Sequence, residues 1–289
     1  MNIEILEKKH VHGKNLQTYT NRQSGERRIQ FEHIEAAYEE YRNVIASIDS
    51  LNSEDITRIV AALNAYRATA IPVFDTLDNA GQKALGYTIM EEFFYLLFNK
   101  KIQLMNIIHP NLFVGKGNSY VSLSFTPASF DDLFHNPNAY IHTKDQDFVL
   151  GANIELTITS DGHRKVKSTV IPVVAIECKT YLERNMLDAC AATASRLKSA
   201  MPYCIYIVAA EYLKMTDASP ELTDIDEVYV LCRAKNSERE MRKRNGQPPF
   251  NIDADLIIDL YNRVSKHLNS IWWNPDEAVT LGKIINRPN

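Results

Sequence analysis

Two apolar runs joined through turn-forming residues constrain this chain more than any other feature. Phe148 to Thr159 carries Phe148, Val149, Leu150, Ile154, Leu156 and Ile158, and Thr169 to Lys179 is rich in β-branched residues. Ser160-Asp161-Gly162-His163 supplies turn chemistry between them, so the pair predicts a β-hairpin. A helix with small residues follows over about Arg184 to Ala200, and Pro202 stops it. Tyr203 to Ala210 returns as a buried strand, and a further strand spans roughly Glu227 to Cys232. Ahead of the hairpin, the apolar stripe Leu85, Ile89, Phe93, Leu96 and Leu97 predicts a helix from about Gln82 to Met105. Helix, hairpin, helix, strand and strand make an α/β layer with a mixed central sheet.

The rest of the chain frames this core. Gln30 to about Ser47 reads as one helix, and Asn52-Ser53-Glu54-Asp55 caps a second that runs through Tyr66. Pro72 and the stretch Asp75 to Gly81 separate these two helices from the core. Tyr120 to Phe125 reads as a short strand, Phe130 to Tyr140 as loop, and Ala254 to Trp273 as a closing amphipathic helix. The expected division is therefore an N-terminal helical region at 1–80, a candidate for DNA contact. An α/β core at 81–235 comes next, then a basic segment and C-terminal helix at 236–289 that pack on it. A formal net charge of -4 excludes a uniformly basic nucleic-acid coat but leaves room for a local basic surface. Cys178, Cys190, Cys204 and Cys232 form no CxxC pair and meet no histidine at zinc-finger spacing, so they read as buried reduced thiols. With no apolar leader in the first ten residues and no span-length apolar run, the expected location is cytoplasmic, with no membrane partner. Neither a P-loop nor a dinucleotide glycine fingerprint is present.

Chemistry concentrates at Ile176-Glu177-Cys178-Lys179, where the second run ends. Alternation places Glu177 and Lys179 on one side, roughly 7 Å apart, and Cys178 on the other. A charged pair at the end of an apolar strand is costly when buried alone and makes sense where a metal neutralises the carboxylate. Asp147 opens the first run. A three-residue turn sets Asp147 opposite Glu177, whereas a two-residue turn sets it opposite Ile176 on the wrong face. A bulge near Pro172 would then restore the match. In the favourable register Asp145 lies opposite Lys179 and is the alternative acid. Mg²⁺ takes oxygen ligands, including one or two carboxylates, and leaves positions for water and a phosphate oxygen. Asp147, Glu177 and the backbone carbonyl of Cys178 are the expected metal ligands. Lys179 would orient or deprotonate the attacking water, giving phosphodiester hydrolysis.

An acid-x-lysine triplet alone is weak, as Glu7-Lys8-Lys9 shows in the same chain. The context is what adds specificity: an acid opening one strand, a hairpin, the triplet closing the next strand, then a helix. In this setting Asp147…Glu177-Cys178-Lys179 resembles the PD-(D/E)XK nuclease signature, with Gln146 standing where that family usually has proline. Lys144 to Gly151 and Ile176 to Ala189 are more narrowly similar to type II restriction endonucleases built of two non-identical subunits. The resemblance implies a restriction-endonuclease-like core and Mg²⁺-dependent cleavage of one strand of duplex DNA. It also implies a second, non-identical nuclease subunit as partner, with a homo-oligomer the alternative for the chain alone. A helix glutamate that assists the metal is implied as well; Glu91 fits slightly better than Glu92, and spacing alone does not choose. Two rivals stand beside this reading: another nuclease on this scaffold, acting in repair, recombination or on RNA, and a non-catalytic DNA-binding or assembly subunit.

Other features weigh less. Arg233 to Arg244 holds six basic residues, Arg233, Lys235, Arg239, Arg242, Lys243 and Arg244, which are candidates for DNA contact against the alternative of a solvated charged face. Lys8-Lys9 and Arg27-Arg28 could add phosphate contacts. His10-Val11-His12 alternates as strand ligands would, but has no third ligand nearby. His135 and His142 read as ordinary loop histidines, and Trp272-Trp273 as core or subunit packing.

Overall fold

The computed structural model describes residues 9–160, 163–269 and 275–282. Among these residues, five helices precede the first strand: α1 (Val11–Asn21), α2 (Gly25–Ala46), α3 (Ser53–Phe74), α4 (Asn79–Leu85) and α5 (Thr88–Leu104). On α2, the buried residues Phe31, Ile34, Tyr38, Tyr41 and Ile45 recur at helical spacing and form its inward stripe. Asn52 caps α3 by accepting from the Asp55 amide, and Glu54 and Asp55 sit in the first turn, where the helix dipole favours acids. The helix does not end before Pro72 but carries it into a last turn held by buried Phe74. The expected helix from Gln82 to Met105 is two helices, α4 and α5, separated at Gly86-Tyr87.

Then come β1 (Leu112–Phe125), the single turn α6 (Asp132–His135), β2 (Ala139–Ser160), β3 (His163–Leu182), α7 (Arg184–Ala200), β4 (Ile205–Leu213), β5 (Glu227–Lys235), α8 (Asn236–Arg244), α9 (Ala254–Leu268) and α10 (Pro275–Leu281). β1 starts well before Tyr120 because Gly115-Lys116-Gly117 breaks its apolar alternation without ending the strand. β2 likewise begins inside the stretch that reads as loop. Trp272, Trp273, Lys8, Asp161 and Gly162 lie outside the described residues.

The sheet order is β1-β2-β3-β4-β5, antiparallel across β1, β2 and β3 and parallel across β3, β4 and β5. Side-chain alternation gives it two apolar faces. Phe148, Leu150, Val174, Ile176, Ile207, Ala209 and Leu231 join the large cluster built with α1 to α5 and α9. Ala175, Tyr206, Val208 and Ala210 pack against Leu187, Cys190, Ala194 and Leu197 of α7. Buried on both faces, β4 reads as a continuous apolar run rather than an alternating one. No helix among the described residues is long and apolar enough to cross a membrane.

Candidate active site

The site begins with an irregularity in the hairpin. From Ser160↔His163 to Gly151↔Pro172 the pairing follows a two-residue connection, the register that would leave Asp147 facing the wrong way. Between Gly151 and Leu150 the register shifts, and Leu150 pairs with Val174, leaving Val173 as the extra residue of a bulge. The shift carries through to Phe148↔Ile176, so the next residue, Asp147, comes level with Glu177. Gly151 makes this bulge feasible: a Cβ there would lie 2.1 Å from the Ile171 carbonyl oxygen. The Cys178 amide then donates to Asp147 Oδ2 at 2.9 Å and fixes that carboxylate against the triplet.

Around this anchor the charged groups interlock. Lys179 Nζ donates to Glu177 Oε1 at 2.5 Å and lies 4.0 Å from Asp147 Oδ2. A second lysine, Lys116 of β1, donates to Glu91 Oε2 at 2.9 Å and lies 3.7 Å from Asp147 Oδ1. Three carboxylates and two ammonium groups thus share one partly buried corner where β1, β2, β3 and α5 meet. Burial and then the Asp147 charge push the Glu91 carboxyl up to about 7, against the pull of Lys116. Glu177 is raised for the same two reasons, with Lys179 opposing. Burial lowers both lysines, but their acidic neighbours outweigh it and hold each ammonium above its usual range. Among the described residues, no three acidic, histidine or cysteine side chains converge tightly enough to enclose an ion as they stand. The two ammonium groups lie between the carboxylates.

Sequence reasoning misses Lys116. Its signal is the flanking pair of glycines: Gly115 adopts φ +127° and the β1–β2 register shifts between Gly115 and Gly117, a bulge that re-aims the intervening side chain. Asp145, the alternative acid, is exposed and pairs across to Asn118 of β1, because the β2–β3 ladder ends at Phe148. Gln146 is buried, and neither end of its amide finds a hydrogen-bond partner among the described residues.

The remaining candidates fall elsewhere. Glu92 points away from the acids and receives hydrogen bonds from the Gly13 amide (2.9 Å), His10 (3.4 Å) and the Tyr38 hydroxyl. His12 does not alternate with His10 along a strand; it sits in the first turn of α1, buried between Thr88 and Tyr66. Burial lowers its imidazole to about 4, which suits a neutral core histidine. Of the basic residues, Arg239 and Lys243 face Asp75 at 3.8 and 3.1 Å, and Arg233 is paired with Asp253. Arg242 lies over the Phe250 ring at 4.4 Å and donates to the Pro248 carbonyl, while Lys235 and Arg244 are exposed.

A five-stranded mixed sheet, with a hairpin feeding a parallel strand pair and helices on both faces, is the restriction-endonuclease-like α/β fold. The chain belongs to the Bpu10I restriction endonuclease family, whose model matches residues 82–277. Its fold is also similar to that of a chain from the native BbvCI A2B2 tetramer, with a TM-score of 0.67 and 23% identity, over 93% of this chain and 100% of that one. No curated protein sequence matches it significantly.

Proposed function

We propose that the chain is one catalytic subunit of a type II restriction endonuclease. It would hydrolyse one strand of duplex DNA with Mg²⁺ and work beside a second, non-identical nuclease subunit. The observation that carries this reading is the meeting of Asp147, Glu177 and Lys179 across a bulge-corrected hairpin in a chain of this family. Kinship with the fold of the A2B2 tetramer supports a two-subunit assembly.

The donor set suits Mg²⁺. Its side-chain ligands are hard carboxylate oxygens, three carboxylates stand beside two ammonium groups, and burial and then the Asp147 charge raise Glu91 and Glu177. Asp147, Glu177 and the Cys178 carbonyl would hold the ion, with Glu91 assisting. When bound, Mg²⁺ supplies a Lewis acid for the phosphate oxygens and lowers the pKa of a coordinated water. Lys179, kept protonated by Glu177 and Asp147, donates from Nζ to orient the attacking water or a phosphate oxygen. Lys116 holds Glu91 and Asp147 together as a resident cation and can turn toward the anionic substrate. Lys235 and Arg244 are the members of the basic segment most available to phosphates, with Arg233, Arg239, Arg242 and Lys243 engaged within the chain.

The test is Glu177→Ala in the assembled two-subunit enzyme. Plasmid should be nicked but not linearised, with duplex binding retained. Double-strand cutting at the wild-type rate would reject the site.

A further inference from the structure

Past the sheet, β2 and β3 continue as a two-stranded ribbon from Asn153↔Val170 to Ser160↔His163. The last β1 partner on this side is Leu112↔Ala152, and β4 joins β3 only from Val174. The ribbon is about 25 Å long at the usual strand rise. Its β3 strand carries His163, Arg164, Lys165 and Lys167, four basic or titratable residues in five positions, while Glu155 is the one acid among the described ribbon residues. Cross-strand pairs share a face. Arg164 therefore projects with Thr159 on one side, and Lys165 and Lys167 project with Ile158 and Leu156 on the other.

These cations differ in their commitments. Lys165 donates to the Ala139 carbonyl at 2.6 Å and lies 5.5 Å from the centre of the Tyr140 ring, tying the ribbon to the root of β2. Thr169 donates to the Asn118 carbonyl at 2.9 Å, and Ser119 pairs with Val170, docking the ribbon's base on β1. Arg164 and Lys167 have no ion-pair partner among the described residues. Ser119 also pairs with Lys144, whose charge acts on Glu177, so the ribbon's base is linked through one strand to the catalytic corner.

We propose that this ribbon is the arm by which the chain grips duplex DNA, following the major groove with Arg164 of its exposed face and the half-exposed Lys167 on phosphates. The major groove admits a two-stranded ribbon, and phosphate contacts by its cations would fix the register of the chain on the duplex. A chain of net charge -4 also needs its phosphate-binding charge concentrated in one place. The inference rests on the DNA-cutting reading above.

The experiment measures fluorescence anisotropy of a labelled 25-base-pair duplex of arbitrary sequence with the full chain, metal-free, over a salt series. In Arg164→Gln/Lys167→Gln, the slope of log affinity against log salt should fall by about two, since each lost phosphate contact removes ~0.9. Affinity near physiological salt should drop roughly tenfold or more, with the melting temperature little changed because Arg164 is exposed, Lys167 is half-buried, and neither has an ion pair to lose among the described residues. An unchanged slope beside intact wild-type binding overturns the arm alone. An equal slope change in Arg239→Gln/Lys243→Gln would mean that net charge governs binding, and also overturns it. A wild-type chain without duplex affinity both alone and assembled with its second subunit overturns the DNA-cutting reading itself, and the arm with it.

Discussion

Glu91 and Glu92 are successive residues of α5, both buried, and their surroundings treat the same charge in opposite ways. Glu92 enters a closed network: the Gly13 amide, His10 and the Tyr38 hydroxyl all donate to it, and together they hold its carboxyl below the usual range despite its burial. Among the described residues Glu91 has one donor, Lys116, and it faces Asp147, so burial and repulsion lift it to about 7. One glutamate is fully compensated from within and pins α1 and α2 to α5. The other, beside Lys116 and Asp147, keeps a carboxyl that burial and its acidic neighbour make costly to ionise. A buried charge that its own fold satisfies reads as structural, and one whose surroundings raise its pKa is a candidate for a functional role.

The larger consequence belongs to Glu92. Glu92→Ala should cost ~3–5 kcal/mol in chemical denaturation, as expected when one partner of a buried charged network is removed. Wild-type stability in that variant would mean that the network contributes nothing. Its pH signature comes from a lowered carboxyl: the stabilisation is present above the ordinary glutamate range and is lost as pH falls through the depressed value.

Glu91 has the reverse sign. Its folded value, about 7, lies above the ordinary 4.5, so the native state is favoured while the group is protonated and loses that advantage as pH rises through 7. Glu91→Gln should therefore stabilise the metal-free chain at pH ~8 by on the order of 2 kcal/mol and leave it unchanged near pH ~4. The strand cut should slow about 100-fold in the same variant, the scale of losing one electrostatic contact to the reacting group. Stability curves for wild type and variant that run parallel from pH ~4 to ~8 would remove the distinction between the two glutamates.

Much of this arrangement can be read from the residues in order, and the failures have physical causes. The β-branched runs and their turn identify the hairpin, and strand alternation puts Glu177 and Lys179 together, because those signals are local. The register stays open between two turn lengths. Pro172 points to a bulge, but the residue that makes room for it is Gly151, and nothing in its local pattern says that Ile171 will approach it. Helical spacing cannot separate Glu91 from Glu92, since the donors to Glu92 come from His10, Gly13 and Tyr38, 54 to 82 residues away. Lys116 is hidden because two glycines interrupt the alternation that would mark β1. The basic segment reads as six open cations, yet the acid that engages Lys243 lies 168 residues distant, at Asp75. Long-range pairing decides each of these, and composition and period do not carry it.

The smallest expected effect concerns the one donor that Glu91 does have. Lys116 is about a third exposed, so solvent screens its attraction to Glu91 and Asp147, and Lys116→Met should cost the metal-free chain only about 1 kcal/mol at neutral pH. Its consequence for cation binding is more telling. With the ammonium gone, Glu91 and Asp147 repel each other without relief, and an added cation no longer competes with a tethered one. Calorimetric titration with Ca²⁺, used as a probe in place of Mg²⁺, should then show several-fold tighter binding to Lys116→Met, while Lys116→Arg behaves as wild type. If Lys116→Met binds Ca²⁺ no better than wild type, the lysine is not holding the position between the two acids. The contrast with Glu92 would then rest on burial and the Asp147 charge, which raise Glu91, and not on Lys116, which opposes them.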